Sequence, residues 1–222
     1  MDFNLKDLNY KVLPDDYSRH DLSFKVIVIG DSGVGKSCLT NKATKNIFED
    51  NYSATVGFEF FTFNVKINNK IIKLQIWDTC GQELYRSLIT NFYRNASFAV
   101  IVYAINSELS FNNIDMWLKE LRTNSSPDVK IILIGNKIDL ENERKISKEQ
   151  GELYAKSNHL LKFYESSAKN GINVQSTFVE IAYILYKDYN KYMDDESSCG
   201  SGNQSKTKRI DNKRRKKSGC CS

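Results

Sequence analysis

Short apolar runs recur along the chain, and the stretches between them carry apolar residues at helical spacing. Phe24 to Ile29, Phe98 to Tyr103 and Lys130 to Ile134 are rich in β-branched residues and show no alternation, the pattern of parallel strands covered on both faces. Between Phe58 and Trp77 two alternating runs meet at Asn68-Asn69, which predicts a β-hairpin. Val174, Phe178, Ile181 and Leu185 follow the i, i+4, i+7, i+11 stripe of a helix with one buried face. Ser147 with Gln150 three residues on is a capping-box start. Together these elements predict one doubly wound α/β domain, in which ligands bind at the carboxyl ends of the strands.

The pattern fades at both ends. Residues 1–21 are weakly patterned and form an N-terminal extension with no assigned role. Residues 22–192 form the domain. Residues 193–222 turn to a polar run dominated by Asp, Glu, Ser, Gly, Asn, Lys and Arg, with little to bury, a composition that predicts disorder. Charge follows the same division. Of a net charge of +5, eight Lys or Arg against the single Asp211 put +7 on the stretch from Lys206 onward, leaving the rest near −2. The basicity therefore belongs to a tail. At 222 residues with 41% hydrophobic content, the chain supports one packed domain and not two large ones.

No apolar run reaches bilayer-spanning length, and the mixed polar start does not read as a secretory signal, so a cytosolic chain is expected. Its five cysteines then read as reduced thiols, and two histidines without paired CxxC units argue against zinc.

Three loops at the predicted ligand-binding rim carry chemistry. Gly30-Asp31-Ser32-Gly33-Val34-Gly35-Lys36-Ser37 matches G-x-x-x-x-G-K-S between a buried strand and a helix. There the glycines let backbone N–H groups turn toward phosphate oxygens at the positive end of the helix. Lys36 reaches the β- and γ-phosphates and the Ser37 hydroxyl meets Mg²⁺. The bland alternative is a glycine-rich strand-to-helix turn. Asn136-Lys137-Ile138-Asp139 follows a buried strand at the same rim, where a carboxylate can accept from the N1–H and exocyclic amine of guanine. As an isolated tetrapeptide it is a common polar turn. Ser167-Ala168-Lys169 forms a third loop. At a further strand end stand Asp78, placed to hold Mg²⁺ through a water, Gly81, whose N–H can meet a γ-phosphate, and Gln82, which can orient water.

With the phosphate loop, DTCGQE, NKID and SAK in family order over about 165 residues, the chain resembles the Ras superfamily of small GTPases, and within it the Rab branch. The Rab likeness rests on Lys73-Leu74-Gln75-Ile76-Trp77, Thr55 to Phe60, Tyr85-Arg86-Ser87 and Tyr93-Arg94. The resemblance implies a P-loop small GTPase fold with a six-stranded, mostly parallel sheet and one antiparallel edge strand. It implies GTP hydrolysis by a switch of vesicle traffic, with Gln82, Lys36 and Gly81 catalytic and Ser37, Thr55 and Asp78 holding Mg²⁺. Nucleotide contacts carried over are Asp31, Ser32, Gly33, Val34, Gly35, Lys36, Ser37, Cys38, Phe48, Tyr52, Thr55, Gly81, Asn136, Lys137, Asp139, Ser167, Ala168 and Lys169. Phe60, Trp77 and Phe92 match the aromatic triad shown to effectors. An activating protein, an exchange factor, a GDP-dissociation inhibitor and a Rab escort protein are the other implied partners of a monomer. The chain departs from the family at Cys80 (usually Ala), Leu84 (Arg or polar), Asn95 (Gly) and Ala104 (Asp).

The tail allows two readings. Lys213 to Lys217 alone could be a nuclear-localisation or nucleic-acid patch. Gly219 stands where a C-a-a-X box needs Cys, whereas Cys220-Cys221 resembles the double geranylgeranylation site of Rab proteins. The second reading expects no nucleic acid. It places the protein in the cytosol and on the cytoplasmic face of Golgi, secretory or endosomal membranes. The rivals are a P-loop ATPase or kinase, which would lack NKID, and a non-lipidated signalling or nuclear GTPase.

Overall fold

The computed structural model describes residues 8–49, 57–79 and 92–199. Its elements run in chain order as β1 (Tyr10–Leu13), β2 (Leu22–Ile29), α1 (Lys36–Lys45), β3 (Phe58–Ile67), β4 (Lys70–Thr79) and β5 (Phe98–Ala104). They continue as α2 (Glu108–Asn112), α3 (Ile114–Asn124), β6 (Lys130–Asn136), a 3-10 turn (Ile138–Glu143), α4 (Lys148–Ser157), β7 (Lys162–Ser166) and α5 (Val174–Cys199). The strands form one sheet in the order β1-β3-β4-β2-β5-β6-β7. From β4 across to β7 neighbours are parallel, while β3 pairs antiparallel with β4 and β1 antiparallel with β3.

The centre of the sheet is dry on both faces. All seven residues of β5 are buried, as are Val26 to Ile29 on β2. One face carries Phe63, Val65, Leu74, Val100, Ile134, Phe178 and Ile181. The other carries Ile27, Ile101, Leu133, Trp117, Leu118 and Leu121. The continuous apolar runs therefore fold as the parallel strands that the pattern predicts.

The hairpin closes at Asn68-Asn69, with Ile67 opposite Lys70 and Asn68 in the left-handed region at φ 52°. The capping box forms as read: the Gln150 N–H donates to Ser147 Oγ at 3.2 Å, and the Ser147 N–H donates to Gln150 Oε1 at 2.8 Å. Val174, Phe178, Ile181 and Leu185 are all buried on α5.

Two boundaries differ from the sequence reading. The sheet has seven strands and not six, because the N-terminal extension contributes β1, which covers the outer edge of β3 in register from Tyr10 opposite Ile67 to Leu13 opposite Asn64. Fully buried Asn64 holds the turn after β1, its Nδ2 donating to the carbonyls of Pro14 (2.8 Å) and Asp15 (3.2 Å). Asp21 closes the segment: its N–H donates to the Ile71 carbonyl at 2.8 Å and its Oδ2 accepts from the Ile71 N–H at 2.7 Å. At the other end α5 continues to Cys199, past residue 193 where the composition predicts disorder. The compact body runs to Asp188, and a separate unit begins at Tyr189, within α5.

Candidate functional site

Four strand ends build the site. The loop from β2 to α1 contains Gly30 and Gly35, where conformation is decisive. Gly30 has φ 141° and a Cβ there would stand 2.2 Å from the Val102 carbonyl oxygen; Gly35 has φ 93° and a Cβ would stand 2.5 Å from Asn136 Nδ2. No side chain other than glycine fits either place. The α1 N-terminus has no side-chain cap and no acidic residue in its first turn, so its positive dipole end faces the loop unopposed by a carboxylate of its own. Buried Lys36 arches over the loop, its Nζ donating to the carbonyls of Gly30 (2.9 Å) and Asp31 (2.7 Å). Ser32 and Gly33 are exposed at the loop tip, Val34 is buried, and Cys38 is half-buried one turn into α1, where burial pushes its thiol pKa up.

Asp78, near the end of β4, is fully buried and aligned with Val28 across the parallel β2–β4 pair. The Ser37 hydroxyl donates to its Oδ2, while its Oδ1 is buried with no hydrogen-bond partner among the described residues. Burial raises the Asp78 carboxyl to about 7, against the lowering pull of Ser37 and Lys36. A buried carboxylate with an unsatisfied oxygen beside a hydroxyl is an oxygen donor set that fits a hard divalent cation such as Mg²⁺.

Asn136 joins three loops. Its Nδ2 donates to the Val34 carbonyl at 2.9 Å, and its Oδ1 accepts from Ser166 Oγ at 3.1 Å and the Ala168 N–H at 3.2 Å. Lys137 takes a left-handed conformation at φ 72° and turns the chain into the 3-10 segment that carries Asp139. Ser167 Oγ donates to Asp139 Oδ1 at 2.5 Å and accepts from the Asn170 N–H at 3.0 Å, so the SAK loop fixes the carboxylate from behind. Ala168 is buried and Lys169 exposed on the same loop. Phe48 lies half-buried against the core beyond α1. The structure thus brings together the phosphate loop, Asp78, NKID and SAK. Tyr52, Thr55, Gly81, Gln82, Cys220 and Cys221 lie outside the described residues, as do Cys80 and Leu84.

On β3 and β4 an aromatic cluster faces outward. Half-exposed Phe60 packs edge-on to Trp77 at 5.2 Å, and Trp77 meets Phe92 at 5.2 Å. Phe58 joins them, 4.5 Å from Phe92 and 5.4 Å from Trp77, and the Lys25 ammonium sits 5.3 Å from the Trp77 ring centre. The sequence reading missed Phe58, although its period-two spacing from Phe60 puts both on one face. It also missed Asn113 and Trp117, which reach the phosphate loop from α3: Asn113 Nδ2 donates to Asp31 Oδ2 at 2.6 Å and Trp117 Nε1 to Asp31 Oδ1 at 2.7 Å. No local motif marks those two.

The Ras family model matches residues 25–187, a span holding all four loops. The chain belongs to the Ras family. Among its relatives, the Ras-related protein RABA1b of Arabidopsis thaliana is 40% identical over 212 residues, covering 94% of this chain and 96% of that one. Rab-8B of Homo sapiens is 40% identical over 183 residues, 82% of this chain and 88% of its own. Rab-13 of Rattus norvegicus is 43% identical over 163 residues, 73% and 80% respectively. This Ras-family chain is a Rab-type small GTPase, a GTP hydrolase that regulates vesicle traffic. Proteins of its family bind GTP or GDP, generally with Mg²⁺, and work with activating proteins, exchange factors, dissociation inhibitors and effectors.

Proposed function

We propose that this GTPase holds its nucleotide and Mg²⁺ through the residues assembled at the four strand ends. The observation that carries the reading is Asn136, which fastens the phosphate loop, the NKID loop and the SAK loop to one another. Phosphates and base must be gripped at a fixed separation, and that cross-link sets it. Asp139 accepts from guanine. Lys36 exchanges its loop carbonyls for the β- and γ-phosphate oxygens, and the α1 N-terminus receives the remaining charge. Ser37 and Asp78, with Thr55, hold Mg²⁺, which when bound neutralises charge developing on the phosphates. Gly81 offers its N–H to the γ-phosphate and Gln82 orients the attacking water. Phe48 and Tyr52 flank the nucleotide, with Asp31, Ser32, Gly33, Val34, Gly35, Cys38, Lys137, Ala168 and Lys169 completing its contacts.

Loss of the γ-phosphate releases Thr55 and Gly81, and the segments that carry them relax. An activating protein supplies an arginine finger worth roughly 10³ to 10⁵ in rate. Effectors read the aromatic face of Phe60, Trp77 and Phe92. A Rab escort protein presents Cys220 and Cys221 for geranylgeranylation. The two lipids and the basic tail hold the protein on the cytoplasmic face of Golgi, secretory or endosomal membranes.

Nucleotide competition tests this reading. GTP and GDP should displace a fluorescent GDP analogue where ATP at the same concentration does not. Gln82→Leu should keep that affinity and lower stimulated hydrolysis by about 10²-fold or more. Displacement by ATP as effective as by GTP returns the chain to the class of P-loop ATPases.

A further inference from the structure

Asp31 is an odd residue to find second in a loop that receives polyphosphate, because its carboxylate adds negative charge beside negative charge. The structure shows what offsets it. The carboxylate turns toward α3, where each of its oxygens accepts a short bond: Oδ2 from Asn113 at 2.6 Å and Oδ1 from the Trp117 indole at 2.7 Å. Both donors are firmly placed. Trp117 is 1% exposed within the second core, and Asn113 is the junction of α2 and α3, its own N–H bonded to the Leu109 carbonyl at 3.0 Å. Meanwhile the Asp31 main-chain carbonyl accepts from Lys36. One residue therefore connects the catalytic lysine to the start of α3.

The rest of the loop explains why such a connection is useful. The buried Gly30 end is wedged against Val102, and the Val34 end is held by Asn136. Between them Ser32 and Gly33 are exposed, and Gly33 has φ 76° with nothing among the described residues within 4 Å of where a Cβ would be. That stretch has backbone freedom and little packing of its own.

Resting on the nucleotide-binding reading above, we propose that Asp31 is a positioning residue that clamps the phosphate loop to α3, and that the Asp31–Asn113–Trp117 clamp governs the rate of nucleotide release. Its main chain faces the nucleotide, while both carboxylate oxygens are taken by Asn113 and Trp117. It fixes the backbone from which the loop N–H groups and Lys36 point, so a bound diphosphate leaves only when the clamp slips. Movement of α3 is thereby coupled to nucleotide retention.

The test measures dissociation of a fluorescent GDP analogue from full-length protein in excess GDP. Asp31→Ala removes the acceptor. Trp117→Phe keeps the packed ring and removes one donor. Each should speed release, Asp31→Ala by about tenfold or more, since charge-assisted bonds are the strong ones. The double variant should release no faster than Asp31→Ala alone, because both changes break one link. Two independent packing defects would instead multiply. The nitrogen-15 spectrum adds a direct readout: the indole N–H peak lost in Trp117→Phe should shift in Asp31→Ala. Where Asp31→Ala does not fold, Asp31→Ser, too short to reach both donors, replaces it in the same cycle. Release rates equal to the parent in the single variants, or multiplicative effects in the double, overturn the clamp. A parent that fails to retain GDP at all overturns the nucleotide-binding reading and not the clamp.

Discussion

At the scale of single residues, Asp139, proposed to read the base, is held in place before any ligand arrives. It is half-buried, and Ser167 Oγ occupies its Oδ1 at 2.5 Å, which holds the group in one orientation before ligand arrives. A carboxylate can accept from both guanine donors, whereas an amide must present one donor of its own. Asp139→Asn should therefore lower GTP affinity by about 10²-fold or more and favour xanthine nucleotides, which carry an acceptor where guanine carries an amine. Titration with both nucleotides checks this, and unchanged GTP affinity removes Asp139 from the base pocket. Single residues also account for two family departures. Asn95 sits at φ 61°, the left-handed region in which Asn is the best tolerated substitute for Gly. Ala104 is buried at the end of β5, where its N–H donates to Ser110 Oγ at 3.1 Å, so the backbone keeps a polar partner without a carboxylate.

At the scale of elements, the strands and helices that stand on long or strongly periodic runs were legible: β2, β5, β6, the hairpin and α5 all lie where the apolar pattern places them. The loops of the candidate site stood out for the same reason, since Gly30 to Ser37 and Asn136 to Asp139 stand at the ends of buried strands. What local sequence hides are contacts whose cause is distant. Tyr10-Lys11-Val12-Leu13 is too short to announce a strand, and becomes one because β3 offers an unpaired edge and Asn64 supplies donors for the turn that follows. The Asp31 clamp spans 82 and 86 residues, so neither partner signals it locally.

The β1 arrangement has a measurable cost if broken. Asn64→Ala strips a buried amide from the carbonyls of Pro14 and Asp15, a loss of about 1–3 kcal/mol. For a domain of this size that lowers Tm by about 2–12 °C. Removing residues 1–21 should lower Tm at least as much while leaving the sheet from β3 to β7 assembled. Thermal unfolding followed by circular dichroism checks both, and a Tm unchanged in either variant means that β1 contributes nothing to the body.

At the scale of the whole molecule, the chain joins a near-neutral body to a strongly basic tail, and the membrane attachment proposed above rests on the second part. No helix among the described residues is long and apolar enough to cross a membrane. In the proposed attachment, lipid and charge at the tail share the work. One lipid chain binds with a constant of only about 10⁴ M⁻¹, so a stable anchor needs a second chain or a basic patch. Lys213 to Lys217 supply up to about 1 kcal/mol each against an anionic surface. These two contributions respond differently to salt, because the screening length falls from about 10 Å at 0.1 M to about 3 Å at 1 M while burial of the lipid chain is not screened. The double change Cys220→Ser and Cys221→Ser should move the protein from the membrane pellet to the supernatant at any ionic strength. Either single change should leave it pelleted at low salt and release it at 1 M, the basic run then being what supplements one lipid. The parent should stay pelleted in both. A double variant that remains on membranes would dismiss the lipid anchor, and single variants that resist 1 M salt would show that one chain suffices without the basic run.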